Sequence, residues 1–130
     1  MKPDGIIVER RGHVAVVIIN RPEKRNAFDE SLFKALERAS SELSAGLPRA
    51  VVITGAGEKA FCAGFDVSPD NPMVKRIIDA ASRKDSGPAR ELIGAIRRAY
   101  DCFTALPVPL IAAINGLAFG GGAELAVRCD

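Results

Sequence analysis

The sequence has a single histidine, His13, and three cysteines, Cys62, Cys102 and Cys129, set far apart. No metal-ligand or redox-pair spacing links them. Neither a metal site nor a disulfide framework is expected, and a reducing, cytoplasmic setting is the default. No apolar run is long enough to span a bilayer, and Met1-Lys2-Pro3-Asp4 lacks the apolar core of a signal peptide. Charge of one sign is also missing: 18 basic against 16 acidic side chains leave +2. That gives no electrostatic case for nucleic acid, although an anionic small ligand needs only a few well-placed cations. There is no internal repeat, low-complexity tract or polar linker. Disulfide scaffold, membrane protein, collagen and disordered tail are thereby excluded. What remains is 130 residues, 48% apolar and 26% charged, the composition of a soluble globular protein: one domain, or a piece of one.

The pattern of apolar residues predicts an α/β fold. Ile6 to Arg10 and His13 to Ile19 are β-branched runs joined at Arg11-Gly12, a hairpin. The second run is apolar almost throughout, so burial on both faces is expected. Pro22 lacks a ladder donor and ends it. Asp29 is placed to cap a helix running to about Ala45, with Leu32, Phe33, Leu36, Ala39 and Leu43 at helical spacing. Gly46 and Pro48 close that helix, and Arg49 to Thr54 forms a short strand. Strand, helix, strand in that order implies a parallel crossover. Glu58 to Asp66 is expected to be loop. Helical patterns cover Met73 to Ser82 and Ala89 to Ala105, separated by Lys84 to Pro88. Leu110 to Ile114 is expected to be a buried strand, and Ala123 to Cys129 the start of a helix that finds no capping residue. The expectation is that residues 1–130 are the N-terminal part of a single longer domain.

Two glycine-rich loops, Gly55 to Asp66 and Gly116 to Glu124, each follow a parallel-type strand, where ligands gather in open α/β folds. The second lacks the Gly-Lys-Ser/Thr of a Walker loop, and its position does not fit a dinucleotide fingerprint. A carboxylate in the first helical turn would also repel a phosphate. The same position suits a catalytic carboxylate, because a helix N-terminus favours ionised Glu124. Glycines leave backbone N–H groups open to a substrate oxygen, and an oxyanion site needs two such donors aimed at one point. The bland alternative is a tight strand-to-helix turn followed by a dipole-favoured acid.

Five segments in order resemble the enoyl-CoA hydratase/isomerase (crotonase) superfamily. They are Asn20-Arg21-Pro22, Arg25-Asn26-Ala27, Ala60-Phe61-Cys62-Ala63-Gly64-Phe65-Asp66, Pro109 to Gly116, and Gly120-Gly121-Gly122-Ala123-Glu124-Leu125-Ala126. The resemblance implies a crotonase-like ββα spiral, present here as its N-terminal part, and chemistry on acyl-CoA thioesters through an enolate. It places the two oxyanion donors at the Phe65 and Gly121 amides. CoA or substrate contacts fall at Arg25, Ala27, Ala63, Asp66 and Val67. Glu124 matches one of two glutamates with which family hydratases handle water, and the other lies in the segment that would follow Asp130. The implied activity is syn hydration of 2,3-unsaturated acyl-CoA. The alternatives are another reaction of the family (isomerase, dehalogenase, decarboxylase or thioester hydrolase) or a non-catalytic truncated assembly module. No metal and no cofactor beyond substrate CoA is implied, and the family's homotrimers and hexamers are the expected assembly. His13 reads as structural. Cys62, beside the first loop, is weighed as a nucleophile and disfavoured, since no histidine accompanies it. The region of Met73 to Ser82 corresponds to the family's acyl-pocket wall.

Overall fold

A computed structural model describes residues 5–130. Strand β1 (Ile6–Arg11) pairs antiparallel with β2 (Val14–Ile19). Arg11 faces Val14, so the two-residue turn is Gly12-His13, one position beyond the expected Arg11-Gly12. Helix α1 (Glu30–Ala45) follows, and then β3 (Ala50–Gly55), parallel to β2 as the crossover requires. Short strand β4 (Ala60–Cys62) precedes helices α2 (Pro72–Ser82) and α3 (Gly87–Thr104). Strand β5 (Leu110–Ala113) lies parallel to β3, β6 (Leu117–Ala118) pairs with β4, and α4 (Gly121–Arg128) closes the series. The main sheet has the order β1-β2-β3-β5, with β4-β6 as a second, two-stranded sheet.

One face of the main sheet builds the core. Ala15, Val17 and Ile19 of β2 and Val51 and Ile53 of β3 alternate inward, as a pleat demands. Leu32, Leu36 and Leu43 of α1 and Ala99 and Phe103 of α3 join them in one cluster. The α1 stripe comes from apolar residues three and four positions apart. Its start is fixed by Asp29, whose Oδ1 accepts the Leu32 N–H at 3.0 Å, satisfying one orphan donor of the first turn.

Several expectations need correction. The far side of β2 is unevenly covered: Val16 is buried as expected, whereas Val14 and Ile18 are half-buried. Strand β5 is the sheet edge: Leu110 is buried, but Ile111 and Ile114 are exposed. Apolar composition alone does not distinguish an edge strand from a central one. Within the expected loop from Glu58 to Asp66 sits β4, whose three residues are too few to show a period. Gly87 and Pro88 open α3 rather than interrupting it, since proline is well suited to the first turn. The last helix does end: Asp130 donates its N–H to the Leu110 carbonyl at 2.8 Å, and its carboxylate accepts the Leu110 N–H at 2.9 Å. On α4, Leu125 is fully buried in the core, whereas Val127 is exposed.

Because the α1 cap rests on one carboxylate oxygen, Asp29→Ala is expected to lower folding stability by about 1 kcal/mol, and Asp29→Asn by much less. Urea denaturation of the two variants side by side measures the difference.

Candidate active site

The chain leaving β2 makes a 3-10 turn at Pro22–Lys24 and then places two consecutive residues in the left-handed region, Arg25 at φ 52° and Asn26 at φ 58°. Non-glycine residues adopt that conformation at a cost, least for asparagine. The fully buried Asn26 side chain supplies the compensation. Its Oδ1 accepts the Arg21 N–H at 2.9 Å, and its Nδ2 donates to the carbonyls of Ala56 (3.0 Å) and Ala60 (2.8 Å). Asn115 performs the same task from the other side. Its amide accepts the Gly55 N–H at 2.9 Å and donates to the carbonyls of Gly55 (2.8 Å) and Gly57 (3.0 Å). Two asparagines thus lock the chain between β3 and β4. Arg25 is left exposed at the rim of a cavity that Pro22, Asn26, Gly57, Glu58 and Lys59 also line. Lys59 is a second cation there, which sequence reasoning passed over. Ala63 donates its N–H to the Arg25 carbonyl at 3.0 Å, tying this loop to the next turn, and Ala27 is buried.

The two glycine-rich turns meet. Phe28 bonds to both sides of Phe65: its N–H donates to the Gly64 carbonyl at 2.7 Å, and its carbonyl accepts the Asp66 N–H at 2.8 Å. Alternation along an extended chain therefore turns the N–H of Phe65 away from Phe28. That N–H has no acceptor among the described residues, and neither has the N–H of Gly121 at the start of α4. Gly64 brings the turns together. It sits at φ 94°, and a Cβ there would lie 2.8 Å from the Phe119 carbonyl oxygen and 3.1 Å from the Gly121 nitrogen. Gly122 is even more constrained, since a Cβ would come within 2.0 Å of the Cys62 oxygen. Only glycine allows so close an approach of backbone to backbone. Two unpaired N–H groups on touching turns can hold a carbonyl oxygen that gains negative charge.

The surrounding charges are specifically paired. Glu124, in the first turn of α4, is exposed, and its Oε1 meets Arg128 Nη2 at 2.9 Å and Nε at 3.1 Å. Arg128 reaches Asp101 Oδ1 at 2.7 Å and lies over the Tyr100 ring at 5.7 Å. Glu124 Oε2 has no partner among the described residues. Asp66 is buried, and its carboxylate faces Arg21 Nη1 at 2.9 Å while accepting from both the N–H and the hydroxyl of Ser68. Burial raises the Asp66 pKa, but the Ser68 hydrogen bonds and the Arg21 guanidinium outweigh it and hold the carboxyl below its usual range. Asp66 therefore braces the first turn with its side chain, while neighbouring Val67 stands 76% exposed. Cys62 is fully buried, and burial pushes its thiol up to about 11 against a weak opposing bond from the Gly64 N–H. That environment disfavours a thiolate. Among the described residues no group of three or more His, Cys, Asp or Glu is disposed to hold a metal, and no helix is long and apolar enough to cross a membrane.

The family model described as enoyl-CoA hydratase/isomerase matches residues 9–130. The chain belongs to that family. It is 37% identical over 131 residues to the short-chain-enoyl-CoA hydratase of Clostridium acetobutylicum, covering 100% of this chain and 46% of the relative. An enoyl-CoA hydratase/carnithine racemase structure from Magnetospirillum magneticum superposes with a TM-score of 0.83 at 35% identity, covering 99% of this chain and 45% of that one. An enoyl-CoA hydratase structure from Bacillus anthracis does so with a TM-score of 0.79 at 34% identity, over 97% and 45%. The fold is thus that of the crotonase family, and the chain spans about half the length of the curated relatives it matches.

Of the residues expected at the site, Arg25, Ala27, Ala63, Phe65 and Gly121 lie on three interlinked turns, whereas Asp66, Val67 and Glu124 flank them. Sequence reasoning recognised Asn26 and Asn115 only as parts of motifs and overlooked Arg128. The i, i+4 spacing of Glu124 and Arg128 on a helix is the signal that could have found that pair.

The depressed Asp66 pKa sets a pH dependence. Its stabilising contribution is present above the unfolded pKa, about 3.9, and is lost as pH falls through the lower folded value. The stability gap between the parent protein and Asp66→Asn is therefore expected to be widest near neutrality and to close in acid, as denaturation at pH 7, 4 and 3 would reveal. Alkylation with iodoacetamide at pH 8 is expected to modify exposed Cys102 well before Cys62, as peptide mass mapping over time would register.

Proposed function

We propose that the chain is the N-terminal part of an enoyl-CoA hydratase, which adds water syn across the C2=C3 bond of an acyl-CoA thioester. The observation that carries this reading is the pair of unpaired amides, Phe65 N–H and Gly121 N–H, on turns that touch through Gly64. The thioester oxygen sits between them. As water adds at C3, charge moves through C2 onto that oxygen, where each donor is worth about two to three orders of magnitude in rate. Glu124 takes the proton from water through its free Oε2, helped by the positive end of α4. A second carboxylate, from the segment beyond Asp130, delivers the proton to C2. Water in and hydroxyacyl-CoA out balances with no oxidant, metal or further cofactor.

The CoA moiety lies along the Arg25-Asn26-Ala27 loop and Ala63. Arg25 and Lys59, both exposed at one cavity, meet its phosphates. Val67 and the neighbouring backbone of Asp66 border the acyl side. The working enzyme is a cytoplasmic homotrimer or hexamer with no nucleic-acid or membrane partner. Support for hydration over other reactions of the family is the glutamate at 124 together with the hydratase relatives.

Glu124→Gln in the full chain is expected to lower kcat for crotonyl-CoA by about 10²–10⁴ and to leave KM within a few-fold. The loss of conjugated thioester absorbance follows the reaction. Unchanged turnover would remove Glu124 from the mechanism. A parent enzyme that shifts the double bond, or releases free CoA instead, would move the protein to one of the family's other reactions.

A further inference from the structure

Tyr100 lies on the buried side of α3, and its hydroxyl reaches the second glycine turn. The side chain is 1% exposed, and its hydroxyl donates to the Gly121 carbonyl at 2.9 Å. Its ring stands edge-on to Phe28 at 90°, with centroids 6.0 Å apart, and contacts Phe33 at 6.4 Å. Phe28 is the residue whose backbone grips the Gly64–Asp66 turn on both sides of Phe65. A single buried ring therefore abuts the residue that orients one amide, while its hydroxyl holds the residue that bears the other.

We infer that Tyr100 is a positioning residue that fixes the Gly121 N–H relative to the Phe65 N–H, and so sets how well the two polarise a thioester carbonyl. The inference rests on the hydratase reading proposed above and extends it to a residue remote from the reacting atoms. The need for such an anchor is local. Gly120 at φ 54° and ψ −123°, Gly121 and Gly122 follow one another with no side chain to restrict the turn. A donor misplaced by about 1 Å loses much of its worth in an oxyanion site. The Gly121 carbonyl and N–H lie on successive peptide units, so the hydroxyl acts by holding the first turn of α4, at whose start that N–H stands. Burial, followed by the nearby Cys62 and Glu124, raises the phenol above its ordinary range, so it remains a donor at neutral pH. Arg128 over the outer ring face keeps the same side chain in register with Glu124. Tyr100 thereby connects both proposed amide donors to the proposed base.

The test is Tyr100→Phe in the full chain, which keeps the ring and deletes the one hydroxyl. It is compared with Phe33→Leu, which disturbs the same cluster without touching that bond. Two readouts apply: kcat and KM with crotonyl-CoA, and the infrared carbonyl stretch of bound [1-13C]butyryl-CoA, whose downshift reports polarisation without turnover. Tyr100→Phe is expected to lower kcat about tenfold, change KM less than twofold and reduce the downshift, while Phe33→Leu leaves the downshift intact. A full downshift and an unchanged kcat in Tyr100→Phe would overturn the inference alone. So would equal losses of kcat and downshift in both variants, which would make the role one of general packing. No downshift in the parent protein would overturn the hydratase reading and take this inference with it.

Discussion

The site depends on contact between two stretches of backbone that carry no side chain where they meet. Gly64 and Gly121 belong to turns separated by more than fifty residues, and the space between them is too small for a methyl group. Steric exclusion, more than any attractive contact, defines the arrangement. Once Gly64 lies against the Gly121 nitrogen, the Phe65 and Gly121 amides are held by the surrounding framework with no acceptor among the described residues. Buried backbone N–H groups nearly all find partners in folded proteins; the half-buried Phe65 and Gly121 N–H groups have none among the described residues.

Around this contact the molecule uses amide side chains and aromatic rings as fasteners. Asn26 and Asn115 each spend both ends of the carboxamide on neighbouring backbone, and the chain between β3 and β4 is held without regular secondary structure. Phe28 and Tyr100 perform the corresponding task from the core side. The mobile-looking composition of the glycine loops is thus misleading: each is bordered by a buried, hydrogen-bonded residue. Charge follows the same economy. Asp66 is paired inward with Arg21, and Glu124 shares Arg128 with Asp101, leaving one carboxylate oxygen unengaged.

Much of this was legible in the sequence, for reasons that differ by element. Helix α1 could be read because its cap, its stripe and its terminating Gly46 and Pro48 all agree, and the structure begins and ends it within a residue of that reading. The crossover from β2 to β3 followed from element order alone. The glycines pointed to the two turns, and five short motifs together pointed to the family. What stayed hidden were features set by distant partners. Strand β4 exists because β6 lies beside it. Strand β5 is an edge because of sheet order, which local hydropathy does not encode. Tyr100 looks like any core residue until the turn that takes its hydroxyl is located. Asp66, read as part of a strip facing substrate, spends its carboxylate on Arg21 and Ser68, a pairing that no spacing rule connects.

The strand at the sheet margin leaves a mark on handling as well as on shape. Between Ile111 and Phe119, four bulky hydrocarbon side chains, Ile111, Ile114, Leu117 and Phe119, face water at 45–68% exposure. The peptide groups behind them are largely engaged: Asp130 takes both backbone groups of Leu110, and the Leu117 and Phe119 N–H groups bond to the Lys59 and Cys62 carbonyls. Such a strip is adhesive through its side chains toward another nonpolar surface. For these 130 residues, stickiness would be concentrated along one narrow seam.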